Sequence, residues 1–326
     1  VIRAAVCPEY GPPEVVRVEM QPSPPLENGQ ARVRVAAAAV NYPDVLLVAN
    51  RYQISVPPPF VVGSEFAGVV VEVAGGPGDV AVGDRVTGTM MYGAFAQEVA
   101  VPARVLTRIP DSVDDRTAVA FGVAHRTAYH ALRSVADVHS GDAVIVLGAG
   151  GGVGLAAVQL AASLGADVTA VASSSEKLDA AAAYGARELV NHGRGDLRSA
   201  LREAVPEGAD AVIDPVGGEL SEPALRSLHR GGRFVTVGYA SGSIPRIPLN
   251  LVLVKGVQVL GFQFQDVSPD EFVRNEAELR ELLVSGNVAP HIGAVFPLAE
   301  TSRALRHVAD GKAVGKVLID RFSLPE

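Results

Sequence analysis

The sequence holds one cysteine, Cys7, among its 326 residues. No intrachain disulfide can form, and a thiolate zinc cluster is excluded with it, because such sites use about four ligands, mostly cysteine. Lysine is scarce beside arginine, a bias that reads as a high-GC genome rather than as function. No apolar run approaches the roughly 20 residues that a membrane-spanning helix needs. Nor does the start resemble the basic, apolar leader of a signal peptide, so a cytoplasmic location is expected. The formal net charge of -8 argues against nucleic acid as the main partner, since phosphate binding needs a basic face.

What is present is an ordinary globular composition, 48% apolar, with ample glycine and proline for turns. The chain exceeds the size at which one core usually stops growing, so two domains are expected. The first hundred residues read as short strands between turns. Residues 31–40 alternate loosely, 66–74 form a second apolar run, and Pro57-Pro58-Pro59 and Gly75-Gly76-Pro77-Gly78 punctuate them. This spacing fits an antiparallel, barrel-like β domain, and an open sandwich equally well.

Beyond Pro110 the character changes. A helix is predicted over 118–135, followed by strands at 143–147, 167–172, 188–190, 211–214 and 233–238, with helices at 153–164 and 175–184 between them. Strand-helix alternation at this spacing means a parallel, doubly wound sheet. From Val257 the pattern returns to strands, first 257–264, with one helix over 269–285 and a final helix and closing strand within 295–319.

The loop Gly148-Ala149-Gly150-Gly151-Gly152-Val153-Gly154 joins a buried strand to an apolar helix. Glycines let the backbone approach a pyrophosphate, and a helix N-terminus offers N–H groups and positive dipole charge. Gly151 and Gly154 match the second and third glycines of the dinucleotide fingerprint, with Ala149 in place of the first. Gly151, Gly152 and Val153 are therefore candidates for cofactor binding. A Walker A loop fails, because no Gly-Lys-Ser/Thr follows.

Cofactor choice is read at the end of the second strand, where NAD sites place an acid against the ribose diol. Here the segment is Ala172-Ser173-Ser174-Ser175-Glu176-Lys177, with small hydroxyls at the strand end. Ser173, Ser174 and Lys177 can serve a 2′-phosphate that a carboxylate would repel, and His192 and Arg194 can reach the same phosphate. NADPH is the expected cofactor. The competing account is that the serines cap a helix and Lys177 is solvated.

The order of motifs carries a resemblance over nearly the whole chain. Asn41-Tyr42-Pro43-Asp44, Arg51-Tyr52, Pro58-Pro59-Phe60 and Gly63-Ser64-Glu65 come first. Gly83-Asp84-Arg85-Val86, Gly93-Ala94-Phe95-Ala96 and Thr127-Ala128-Tyr129 follow, then the glycine loop, Asp214 through Gly217, and Gly315-Lys316-Val317. Together they resemble the zinc-independent quinone oxidoreductase and enoyl-reductase branch of the medium-chain dehydrogenase/reductase superfamily. The fold implied is α/β: a GroES-like β-barrel catalytic domain (residues 1–118 and 257–326) with an inserted Rossmann doubly wound parallel-sheet domain (119–256). The activity implied is NADPH-dependent hydride transfer to a quinone or to the activated C=C bond of an α,β-unsaturated carbonyl. A homodimer joined through the late edge strand is implied as well.

Zinc relatives carry a histidine between Gly and Glu, where this chain has Ser64, and no metal ligand set can be assembled here. His125, His130 and His139 are expected to be solvated on a surface helix. The resemblance assigns catalytic work to Asn41, Tyr52 and Thr127, with Tyr52 donating a proton, orienting the substrate, or merely packing. Val216, Gly238, Phe262, Phe264 and Lys316 complete the expected cofactor set, although one phenylalanine could be ordinary core and Lys316 a solvated strand-end charge. Asp44 is expected to hold its own loop, and Glu65 to form an internal ion pair with an arginine as candidate partner. Two rivals stand beside the reductase: a non-catalytic NADPH-binding sensor or structural protein, and a zinc alcohol dehydrogenase.

Overall fold

The computed structural model describes residues 1–75 and 80–322, so Gly76-Pro77-Gly78 of the expected turn lies outside the described residues. Two compact units divide the chain, Val1–Val123 with Pro290–Glu326, and Ala124–Ala289. The first unit opens with β1 (Ile2–Cys7), β2 (Arg17–Gln21) and β3 (Gln30–Val40), followed by helix α1 (Tyr42–Val48). Next come β4 (Phe60–Val61), β5 (Glu65–Val73), β6 (Arg85–Thr89), β7 (Glu98–Pro102) and β8 (Leu106–Arg108). Helix α2 (Asp115–His130) carries the chain from the first unit into the second.

Within the second unit run β9 (Ala143–Leu147), α3 (Gly152–Ser163), β10 (Asp167–Ala172), α4 (Ser175–Ala183), β11 (Glu188–Asn191) and α5 (Leu197–Ala204). They are followed by β12 (Ala209–Asp214), α6 (Ser221–Arg226), β13 (Leu228–Thr236), α7 (Leu249–Lys255), β14 (Gln258–Gly261) and α8 (Pro269–Val284). The chain then returns to the first unit with β15 (Ile292–Pro297), α9 (Thr301–Ala309) and β16 (Lys316–Asp320).

In the first unit β3 is the spine. It pairs antiparallel with β5, β7 and β16, inside a seven-stranded sheet whose main path is β15-β16-β3-β5-β6-β8. Along β3, Ala31, Val33 and Val35 are buried while Arg34 and Ala36 are exposed, the period-2 alternation of a half-buried strand. A smaller sheet, β2-β1-β4, adds Ala5 and Cys7 to a core filled by Phe66 and Phe95. Apart from the parallel pair β15–β16, this is an antiparallel β domain, as the spacing of strands and prolines predicts, and it fits the GroES-like domain that the resemblance implies.

The second unit is a six-stranded parallel sheet in the order β11-β10-β9-β12-β13-β14. That is the doubly wound Rossmann order 3-2-1-4-5-6. Ile145, Leu147, Val212 and Phe234 are fully buried in it, as strands covered on both faces require.

Three expectations need correction. First, the Rossmann unit does not end at 256. β14 pairs in parallel with β13, Phe234 opposite Val259, and α8 also belongs to this unit. An apolar run of four residues says nothing about which sheet it joins, so the sequence pattern could not reveal this.

Second, His125 and His130 are buried, at 3% and 0% exposure, and only His139 is solvated. His130 Nε2 meets Glu276 Oε1 at 3.0 Å, Asn275 Nδ2 meets its Nδ1 at 3.1 Å, and the ring stacks on Phe272. All three partners come from α8, which no pattern within one helix could foretell.

Third, Phe264 does not share a strand face with Phe262. The strand stops at Gly261, and Phe264 opens a 3₁₀ turn in which its ring lies edge-on to Phe262, 5.0 Å between centroids. The Arg126 guanidinium sits 5.4 Å from the same ring, and His130 is 5.7 Å away on another side.

Candidate active site

In the second unit the glycine loop turns from Leu147 to the first residue of α3. Gly148 takes φ +60°, the left-handed conformation that glycine supplies most readily. At Gly154 a Cβ would collide with the carbonyl oxygen of Gly148, so helix and turn can pack only without a side chain there. A Cβ on Gly151 would meet nothing nearer than that oxygen at 3.4 Å. Gly151 is also the N-cap of α3, and no side chain caps the helix. The first-turn N–H groups of a twelve-residue helix thus face an open glycine surface, an arrangement suited to a phosphate.

At the end of β10, Ser174 Oγ accepts the N–H of Lys177 at 3.3 Å and caps α4, so the capping account of these serines is correct for Ser174. Lys177 is half-buried rather than fully solvated. Its stem lies over Gly150, and its Nζ reaches toward exposed Ser173 Oγ at 3.5 Å. Burial pulls the Lys177 ammonium below its ordinary range. His192 is pulled down too, by burial first and then by the Lys177 charge, which fixes these two basic groups as neighbours. A bound dianion would favour the charged form of both groups. The residues present therefore fit a dinucleotide carrying a phosphate beyond its ribose.

Asp214 builds the other wall of this half. Fully buried, it accepts the N–H groups of Val216 and Gly217 at 2.8 and 2.7 Å and the Ser221 hydroxyl at 2.6 Å. Val216 is thereby set over Gly148, and the Gly238 N–H points to the Asp214 carbonyl at 3.3 Å. Sequence reasoning placed Val216 and Gly238 in the site and missed the anchor. Its signal was an aspartate ending a buried strand three residues before the Gly217-Gly218 pair.

In the first unit the chain leaves β3 at Asn41, which precedes α1. Asp44 Oδ2 accepts the Asn41 N–H at 2.7 Å, so Asp44 does hold its own loop. The Asn41 side chain is engaged at both ends. Its Nδ2 donates to Glu65 Oε2 at 3.0 Å and, at a longer 3.4 Å, to Ser64 Oγ, while its Oδ1 accepts from Lys316 Nζ at 2.6 Å. Lys316 and Glu65 are 4% and 2% exposed and pair at 3.5 Å. Glu65 therefore has its internal ion pair, with a lysine in place of the candidate arginine, and Lys316 is no strand-end surface charge. Sequence reading missed this pairing because residues 65 and 316 meet only through the antiparallel register of β5, β3 and β16.

Tyr52 is half-buried against the same core, with the tip of its loop exposed around it. Thr127 is half-buried on α2 and belongs to the second unit, whereas Asn41 and Tyr52 belong to the first. Among the described residues, no three His, Cys, Asp or Glu side chains gather into a group that could hold a metal. Among them, too, no helix is long and apolar enough to cross a membrane.

The two halves correspond to two known domain families. Residues 27–111 match the alcohol dehydrogenase GroES-like domain, and residues 152–281 match the zinc-binding dehydrogenase domain. Quinone oxidoreductase-like protein 2 of Bos taurus is 37% identical over 322 residues, covering 97% of this chain and 92% of its own. A mycobacterial protein solved in complex with NADPH superposes with a TM-score of 0.90 at 30% identity, covering 98% of this chain and 99% of that one. The Escherichia coli quinone oxidoreductase, also solved with NADPH, superposes at 0.87 with 27% identity, over 98% and 99% of the two chains. The chain belongs to the medium-chain dehydrogenase/reductase superfamily, in its quinone oxidoreductase branch.

Asp44 gives this site a pH signature. Burial pushes its carboxyl up to about 7, against weaker opposing pulls from the Asn41 N–H, Ser64 and Lys316, and its Oδ1 has no hydrogen-bond partner among the described residues. The folded pKa lies above the unfolded value, so the folded state holds the extra proton between the two. Stability must then fall as pH rises through that interval, and the full cost is present above it. Asp44→Asn removes the cost. Its melting temperature relative to the parent should rise from pH 5 to pH 8, by the equivalent of more than about 1 kcal/mol. A difference that stays constant between those pH values would mean that Asp44 is ionised throughout.

Proposed function

We propose that the protein is an NADPH-dependent reductase that transfers hydride to quinones or to the activated C=C bond of α,β-unsaturated carbonyls, without zinc. The observation that carries the reading is the pair of half-buried basic groups, Lys177 and His192, beside Ser173 at the end of β10. An acid at the strand end would serve the ribose diol of NADH; here the environment favours an added dianion. The uncapped start of α3 would hold the pyrophosphate of NADPH, which when bound would supply the hydride, two electrons with one proton nucleus. The presence of NADPH in the solved mycobacterial and E. coli relatives supports this cofactor.

The chain's own residues do the rest. Asn41 offers an oriented amide, Thr127 a hydroxyl, and Tyr52 a phenol that at neutral pH holds a proton to give. For an enone, hydride adds to the β-carbon and a proton to the α-carbon; for a quinone, hydride and proton together give the hydroquinone. Ser64 in place of a zinc-binding histidine supports a metal-free route. The edge position of β14, with Val259 45% exposed and Leu249 and Leu253 of α7 largely exposed, supports a homodimer built on this side of the second unit.

NADPH oxidation should be followed by absorbance against quinones, alkenals and enones, with NADH as control. Turnover with NADPH preferred is expected, and tight NADPH binding with an inert panel would move the protein to the sensor reading. Lys177→Ala should cut the NADPH-over-NADH preference in kcat/KM by about tenfold or more. An unchanged ratio would remove Lys177 from the phosphate site. Tyr52→Phe should lower kcat for enones by about a hundredfold, and unaltered enone reduction would assign the proton to another source. Light scattering should give a dimer for the parent and a shift toward monomer for Val259→Lys. A monomeric parent would refute the assembly.

A further inference from the structure

Resting on the reductase reading only for the identity of the acceptor, we propose that Lys316 and Glu65 are positioning residues. They fix and polarise the Asn41 amide, so that its remaining N–H is a directed donor to the oxygen of a bound carbonyl compound.

An asparagine amide can ordinarily turn end for end at little cost, since its two ends are nearly the same shape. Here the two ends face opposite charges. Oδ1 receives the Lys316 ammonium at 2.6 Å, and Nδ2 gives a proton to Glu65 at 3.0 Å. Reversal would set NH₂ against the ammonium and the carbonyl oxygen against the carboxylate, replacing one hydrogen bond of each buried charge by a repulsive contact.

The frame that holds the charges is rigid. β16 pairs with the end of β3, Val317 opposite Val40, and the Lys316 N–H is fixed to the His291 carbonyl at 2.7 Å. Glu65 opens β5, opposite Ala39. Its Oε1 accepts the Val123 N–H at 2.6 Å, at the kink where Gly122 departs from helical geometry with φ -36° and ψ -106°. A Cβ on Gly122 would collide with that oxygen, so the glycine is what lets the carboxylate reach the backbone. With one oxygen tied to α2 and the other to Asn41, Glu65 has little freedom to turn.

A cation on an amide oxygen draws electron density from the nitrogen and strengthens its N–H groups as donors. Hydrogen-bond chains gain roughly 10–30% per bond in this way. One Nδ2 proton is committed to Glu65. The other has only the long 3.4 Å contact with Ser64, which a ligand oxygen can displace. Charge grows on the acceptor oxygen as hydride adds, and a donor fixed in advance contributes most at that moment. Lys316 thus acts on the reaction through Asn41 rather than by touching the cofactor.

The test uses the full chain and the variants Lys316→Met, Lys316→Arg, Glu65→Gln and the double variant Glu65→Gln/Lys316→Met. Lys316→Met should lower kcat by about tenfold or more, with KM for NADPH changed less than about twofold, and Lys316→Arg should recover part of the loss. The double variant leaves no lone buried charge, so its melting temperature should recover relative to Lys316→Met while kcat stays low. If kcat recovers together with melting temperature, the pair merely balances charge and the inference fails.

A second readout needs no turnover: the side-chain ¹⁵N–H signals of Asn41, assigned with Asn41→Ala. In the parent the two protons should be well separated and slow to exchange with water, and Lys316→Met should bring them together and speed exchange. Signals indifferent to Lys316→Met would overturn the inference. A parent that shows the ordered amide but reduces nothing in the panel would instead refute the reductase reading.

Discussion

Two oxygens of one carboxylate organise the first unit's part of the site. A charge as deeply buried as that of Glu65 is costly unless every lone pair is answered, and removing any partner exposes the others to that cost. The partners come from three places in the chain: Lys316 on β16, Asn41 just after β3, and Val123 on α2, where the neighbouring Gly122 makes room. No one of these contacts is large by itself. Their coupling means that the register of β3 with β5 and β16, the start of α1 and the kink of α2 are all consequences of satisfying the same group.

The second unit answers the opposite problem. A dinucleotide brings anionic phosphates, and the glycine loop of this unit leaves helix N–H donors without a capping side chain, where the first unit satisfies its buried charges. The α3 N-terminus has no capping side chain, a feature it shares with α6, α7 and α9, whereas Ser174 caps α4, Asp196 caps α5 and Ser268 caps α8. With glycine as the N-cap, the missing side chain costs only about a few tenths of a kcal/mol of stability. On the proposed reading a bound phosphate restores that loss, which links the order of the loop to cofactor binding.

Much of this was legible in the sequence where the signal is local. The strands 143–147 and 167–172 match β9 and β10 residue for residue, because buried parallel strands are unbroken apolar runs bounded by turns. The glycine loop, the serines of α4 and Asp44 were likewise readable, each being a matter of a few adjacent residues. What escaped notice depends on contacts between distant segments. His130 looks like a surface histidine until α8 covers it, β14 looks like a strand of either domain, and Lys316 looks solvated until β16 is set beside β3. The short helices α1, α5, α6 and α7 escaped for a different reason: six to eight residues give too few turns for a periodic pattern to stand out.

The net charge of -8 bears on how such a site could select its ligand. Over the whole surface an acidic protein repels anions, but at physiological salt that repulsion fades beyond about 8 Å. Inside that distance the local arrangement decides. Lys177 and His192 are partly desolvated, and burial disfavours the charged form of each, a bias that a nearby dianion opposes. On the proposed reading, selectivity for a phosphate-bearing nucleotide arises from these two groups, whatever the sign of the remaining surface. The acidic surface would even help, by discouraging polyanions such as nucleic acids, whose many charges interact with the whole face, while scarcely affecting a small ligand that meets only the pocket.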